Sequence, residues 1–318
     1  MIKRVLSRKI AVATLALFTL GLIYLMPNND KLDTSIKNEP IEYVYTNTLE
    51  TIYLLDSNDY VARTEMKGCN CDNVEMARDV LEGLIIDGNK EHVIPNGFRS
   101  LIPSGTEVKN LELKDKVLTI NFSRELLDIN DKYEEKMIEA IVYSLTSIEG
   151  IDKVIIQVEG DVLKELPHSK KSLPTSLDRS YGINKSYDLV TTQDIDSVTV
   201  YYVSKYNDDE YYVPVTKYIN NKQDKIKVII DELASSPIYE ENLMSYVNSN
   251  VSLIDYKIDN EALKLNFDNS ILNDNDKNIL EEVAYTVSLS MYDNYPVKEV
   301  MILVNNEEIY KNDLKTLE

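Results

Sequence analysis

The sequence predicts an α+β protein of two tandem small domains. Each is a small, mostly antiparallel sheet with two helices on one face, and an N-terminal transmembrane anchor precedes them. Three observations lead there. The first is a duplication: Leu111-Glu-Leu-Lys-Asp-Lys-Val-Leu-Thr-Ile-Asn-Phe122 is answered, about 145 residues later, by Tyr256-Lys-Ile-Asp-Asn-Glu-Ala-Leu-Lys-Leu-Asn-Phe267. That spacing is far longer than a solenoid period, so two domains are repeated and not an array of short units. The second is that strand and helix periodicities alternate in the same order in both copies. The third is an uninterrupted apolar run, Ile10 to Met26, directly after Lys3, Arg4, Arg8 and Lys9.

The run is about 17 residues long, near the lower limit for a helix crossing a bilayer. No pair of small residues offers a cleavage site after it, and no cysteine follows for lipid attachment. An uncleaved signal anchor is expected, with the basic residues in the cytoplasm and the bulk of the chain outside. Residues 27–47 are rich in Asn, Asp, Lys and Glu and read as a polar tether.

The first domain is expected over 48–166. Ile52 to Leu55 alternates like a strand, Asp56-Ser-Asn-Asp59 turns, and Tyr60 to Arg63 returns as a hairpin partner. Asp72 or Asn73 can cap a helix with the stripe Met76, Ala77, Val80, Leu81, Leu84 and Ile85. After a loop through Pro95-Asn-Gly97 and Pro103-Ser-Gly105 comes a hairpin turning at Lys114-Asp-Lys116. A helix from about Asp131 to Ile148 and an apolar strand from Val154 to Val158 complete it. The linker is 167–194, with Pro167, Pro174 and several serines, and the second domain is 195–318.

In that domain Thr199-Val-Tyr-Tyr202 repeats Thr51-Ile-Tyr-Leu54, and Ile226, Ile229, Ile230 and Leu233 repeat Ala77, Val80, Leu81 and Leu84. Met137, Ile138, Ile141, Val142 and Leu145 match Ile279, Leu280, Val283, Ala284 and Val287, with Tyr143-Ser144 against Tyr285-Thr286. Val154 to Val158 matches Val300 to Val304, and Phe122 and Phe267 are expected at equivalent core positions.

A formal net charge of -20 argues against a nucleic-acid partner, because phosphate binding needs a basic surface. Catalytic, cofactor-binding and metal-ligating residues are all expected to be none. There is no Gly-rich phosphate loop and no nucleophile elbow. His92 and His168 have no partner motif and no counterpart in the other copy, so both are expected at the surface. Cys69 and Cys71 cannot complete a four-ligand zinc site; a bridge and a free or intermolecular thiol pair both stay open. Asp268-Asn-Ser-Ile-Leu-Asn-Asp-Asn-Asp276 lacks the order of a calcium loop and reads as a solvated loop and helix cap. Tyr201, Tyr202, Tyr211 and Tyr212 either sit on strands facing a core or form an exposed aromatic platform.

Taken together, Ala77-Arg-Asp-Val-Leu-Glu-Gly-Leu84, Ile102-Pro-Ser-Gly-Thr106, Val117-Leu-Thr-Ile-Asn-Phe-Ser123, Ile141-Val-Tyr-Ser-Leu-Thr146 and Val154-Ile-Ile-Gln-Val-Glu-Gly160 resemble the GerMN domain of GerM-type sporulation and germination proteins. The second copy departs at Asn248-Ser-Asn-Val251, where the family has a Pro-x-Gly-Thr turn. The family is similar to ring-building-motif proteins, whose small αβ domains pack side by side. The resemblance implies a non-enzymatic, membrane-anchored extracytoplasmic assembly protein in the envelope between mother cell and forespore. Its partners would be other sporulation envelope proteins, with an oligomeric ring as one arrangement, and the membrane through residues 10–26. Typical members are lipoproteins, so here the apolar run would substitute for the missing lipid. Two rival expectations are a cell-wall or glycan-binding module using exposed tyrosines and a cell-wall hydrolase with paired acids in a polar cleft.

Overall fold

A computed structural model describes residues 18–19, 49–220, 224–235, 242–273 and 278–313. The anchor expected over 10–26 and the tether over 27–47 therefore lie outside the described residues, apart from Phe18 and Thr19. Among the described residues no helix is long and apolar enough to cross a membrane. From residue 47 onward the chain forms one compact unit.

The α+β class holds, and the two copies follow one plan. Leu49–Leu55 (β1) and Val61–Lys67 (β2) form a hairpin, followed by the helix Asn73–Leu84 (α1). Asp72 caps α1 by accepting from the N–H groups of Val74 and Glu75, and Ala77, Val80, Leu81 and Leu84 are fully buried. Val108–Lys114 (β3) and Val117–Phe122 (β4) pair antiparallel through a turn in which Asp115 and Lys116 both have positive φ, the geometry that matches strand twist. The helix Glu134–Leu145 (α2) then crosses over, so Lys153–Val158 (β5) lies parallel to β4 with Leu118 beside Val154. A short return strand, Asp161–Val162 (β6), closes a four-stranded sheet of order β3-β4-β5-β6.

The second copy repeats this with Asp196–Tyr206 (β8), Asp209–Ile219 (β9), Lys225–Ala234 (α3), Leu253–Asp259 (β10), Ala262–Phe267 (β11), Glu281–Asn294 (α4), Glu299–Val304 (β12) and Glu307–Asp313 (β13). Its sheet has the order β10-β11-β12-β13, with the same central parallel pair. Phe122 and Phe267 are both 0% exposed. The family turn survives its altered sequence: Thr106 N–H donates to Pro103 O, and Val251 N–H donates to Asn248 O.

Two expectations need correcting. One sheet per domain was expected, but the strands divide between two. The hairpin β1-β2 leaves its own domain's sheet and meets β9 at Arg63 and Tyr212, so both hairpins build a shared five-stranded sheet. Nor does Ser144 match Thr286. Ser144 Oγ accepts the Tyr53 N–H at 2.8 Å, and Ser290 Oγ accepts the Tyr201 N–H at 2.9 Å, so Ser144 and Ser290 are the true equivalents. The sequence match slipped by one helical turn. Four residues turn a helix by roughly 40° beyond a full circle, which leaves the same stripe inward. These serines serve the edge strands β1 and β8, where α2 and α4 meet the outer N–H groups of Tyr53 and Tyr201, while Leu55 and Val203 bond to Arg99 and Met244.

The linker is ordered and pinned to the first domain. Leu173, Leu177 and Ile183 join its core, and Ser186–Asp188 (β7) runs parallel to β9 as a strand of the shared sheet. Glu134, at the start of α2, is 3% exposed and receives the N–H groups of His168 and Ser169 at 2.7 and 3.0 Å. Burial by itself raises its pKa, but these hydrogen bonds prevail and hold the carboxyl below its ordinary value. A lowered folded pKa contributes stability that is complete above the unfolded value of about 4.3 and is lost as pH falls through the folded one. Glu134→Gln should therefore destabilise at pH 7 and converge on the parent at acid pH. Urea midpoints measured from pH 7 to 3 check this; a gap that stays constant would reject it.

Candidate functional site

The most elaborate polar arrangement lies where the copies meet. Tyr53 and Tyr201, equivalent in the duplication, face each other with hydroxyls 2.8 Å apart. A residue meeting its own counterpart is the mark of a two-fold contact, here internal to one chain. Both rings are 1% exposed. The Tyr201 hydroxyl donates to Asp293 Oδ2 at 2.9 Å. Arg179 breaks the symmetry. It comes from the linker, pairs with Asp293 of α4, and donates to Thr146 Oγ1, Ser147 Oγ and the Tyr143 carbonyl of α2. Its guanidinium also sits 4.8 Å from the Tyr143 ring centre. Burial pushes the Tyr143 and Tyr201 hydroxyls up, and the Asp293 carboxylate adds to it, so both stay neutral hydrogen-bonding groups. One guanidinium thus joins helices from both domains and the linker between them.

The paired tyrosines do not form an exposed platform. Tyr201 and Tyr202 are 1% exposed and Tyr211 is 7%. The Tyr211 hydroxyl donates to the buried Asp56 carboxylate at 2.8 Å, and burial pushes its pKa up to about 12. Tyr212 stacks on Tyr285 with ring centres 5.6 Å apart. Alternation on β8 and β9 does not send one of each pair to water, because both faces are covered: Tyr201 and Tyr212 pack with Tyr285 and Leu289 of α4, and Tyr202 and Tyr211 join the second domain's core. Tyr201, Tyr202 and Tyr211 therefore offer no exposed ring face for stacking on sugars.

His92 and His168 are both exposed, and the His168 ring meets the Ile129 carbonyl oxygen at 2.6 Å. Cys69 and Cys71 are joined as a disulfide. Ligand atoms of Glu50, Cys69 and Asp79 come within 4.8 Å of one another. A disulfide sulfur is no thiolate, and Asp79 pairs with Lys90 at 2.8 Å, so this trio is a poor metal donor set. Asp268 accepts the Ser270 N–H as a cap, while residues 274–276 of the loop once compared with a calcium site lie outside the described residues.

Paired acids do share a cleft: Glu135 and Glu139, one turn apart on α2. Lys185 reaches both, at 2.7 and 3.1 Å, and Glu139 also receives the Asn184 N–H. The two carboxylates hold the Lys185 proton, raising its pKa against the pull of burial. A shared ammonium that ties β7 to α2 gives these acids a structural task. Sequence reading passed over Arg179, Glu139 and Lys185. The visible signal was the i, i+4 spacing of Lys132-Lys136 and Glu135-Glu139, which also describes an ordinary solvated helix face.

A family model described as Germane, sporulation and spore germination, matches residues 51–164 and again 199–310. The spore germination protein GerM of Bacillus subtilis (strain 168) is 31% identical over 294 residues, which is 90% of this chain and 78% of that protein. The solved tandem GerMN domains of the sporulation protein GerM from Bacillus subtilis align with a TM-score of 0.75 and 32% identity, covering 82% of this chain and 92% of that one. The duplicated match and the sequence identity agree: this chain belongs to the Germane family of sporulation and spore germination proteins and carries its domain in tandem.

Proposed function

We propose that this sporulation protein is a non-enzymatic assembly protein, anchored through residues 10–26 and working by protein contacts in the envelope between mother cell and forespore. One observation carries the reading. Ile254 and Ile258, 53% and 44% exposed, project from β10, an edge strand of the second domain's outer sheet. Edge strands normally avoid exposed aliphatic side chains, which invite a partner. The buried network of Tyr53, Tyr201, Asp293 and Arg179, by contrast, joins the two domains. The buried acids Glu134, Glu139 and Asp56 accept backbone N–H groups, Lys185 or the Tyr211 hydroxyl, and such contacts serve architecture.

Complementation of a deletion strain, scored as heat-resistant spores, tests this. Ile254→Lys with Ile258→Lys should fold with stability within about 0.5 kcal/mol of the parent, as surface changes do, yet fail to restore spores. Removing residues 2–26 should fail likewise. Full rescue by both would sink the proposal, and a normally folded Glu135→Gln protein that fails to complement would favour the hydrolase.

A further inference from the structure

Between α2 and the linker strand β7 lies a cleft of about 390 Å³. That is within the range of small-molecule sites. In a chain of net charge -20, four lysines face it: Lys132, Lys136, Lys171 and Lys185. Three of them have carboxylate partners. Lys132 pairs with Asp59, Lys171 with Glu135 at 2.9 Å, and Lys185 with Glu135 and Glu139.

Lys136 differs. Among the described residues its ammonium forms no ion pair; it donates to the Asp59 carbonyl oxygen and lies 5.8 Å from the Tyr60 ring centre. An ammonium has three donors, so two remain to be directed at a ligand. Burial lowers its pKa; the more distant Glu139, Asp59 and Asp56 oppose that, and Lys132 adds to it. A half-buried cation without a counter-ion is costly, and an incoming anion relieves that cost. The outer wall is Tyr187, 65% exposed yet held in place by stacking on Tyr218 at 4.9 Å.

We propose that this cleft binds a carboxylate-bearing ligand, with Lys136 as the pairing cation and Tyr60 and Tyr187 flanking the group that carries it. The pairing selects the class. Lys132, Lys171 and Lys185 already have carboxylate partners, so among the lining ammonium groups Lys136 is left for one carboxylate to match. A phosphate dianion carries more charge than that one ammonium can match. The inference concerns a surface separate from β10 and does not depend on the assembly reading.

Isothermal titration of the full chain in non-ionic detergent at low salt tests it. The probes are N-acetyl-dialanine, its C-terminal amide, glucuronate and inorganic phosphate. At least one carboxylate probe should bind, and which one binds separates a peptide from a sugar-acid source. The amide should bind about 10- to 100-fold more weakly, the worth of a charge-assisted hydrogen bond. Lys136→Met should weaken binding by the same factor, whereas Lys136→Arg should largely retain it and Lys116→Met should leave it unchanged. If Lys136→Met does not fold, Lys171→Gln on the exposed rim should still weaken binding measurably. Equal binding of acid and amide, a preference for phosphate, no binding of either carboxylate, or indifference to every cleft substitution would overturn the proposal.

Discussion

Phe267→Ala is expected to lower the free energy of unfolding by about 3–5 kcal/mol, the range for emptying a buried aromatic site. Phe267 is 0% exposed at the end of β11, beside Val304 of the parallel partner β12, so little around it can collapse into the space. A domain's total stability is roughly 5–15 kcal/mol, so the loss is a large share. The way it is lost is informative. Because β2 pairs with β9 and Ala62 sits in the second domain's core, damage in one copy should reach the other. A single cooperative transition shifted to lower denaturant is expected, by both fluorescence and far-ultraviolet circular dichroism. Two separated transitions, with the first copy unaffected, would show that the shared sheet does not couple them.

Arg179→Met is expected to cost about 3–5 kcal/mol as well, for a different reason. The favourable part of a buried ion pair is offset by desolvation, so the pair itself contributes little. Removing one member leaves Asp293, 5% exposed, as a buried carboxylate with only the Tyr201 hydroxyl to satisfy it. Thr146, Ser147 and the Tyr143 carbonyl lose a donor at the same time. The double variant Arg179→Met with Asp293→Leu should then recover a large part of the loss, since no charge is stranded. A double-mutant cycle in urea measures this. If Arg179→Met costs under about 0.5 kcal/mol, the size of an ordinary surface change, the Arg179–Asp293 contact does not hold the two domains together.

Legibility in the sequence followed the range of the interaction. The stripes of α1 and α3, the β3-β4 turn and the equivalence of Phe122 and Phe267 could all be read, because each depends on neighbours within a few residues or on the duplication itself. The final strands β6 and β13 were missed. Asn305 and Asn306, both at positive φ, mark the second of these turns, but their composition resembles the many other Asn-rich stretches of this chain. The helix match slipped by a turn because an amphipathic stripe reports which face is inward and carries no marker of axial position. Only the serines that reach β1 and β8 restored the register.

From the sequence alone, then, came the α+β class, the doubled domain, the core positions and the family resemblance. All of these are written in periodicity and in self-similarity, which survive without knowledge of the docked arrangement. The tertiary structure decided that the two hairpins share a sheet, that Tyr53, Tyr201, Tyr202 and Tyr211 are buried, that Arg179 ties two helices together, and that Lys136 faces a cleft with no ion pair of its own among the described residues. Each of those depends on groups such as Tyr53 and Tyr201, or Arg179 and Asp293, that lie far apart along the chain. Local pattern signals that a strand needs a neighbour or that a polar group needs a partner; which one it receives is settled only when the elements pack.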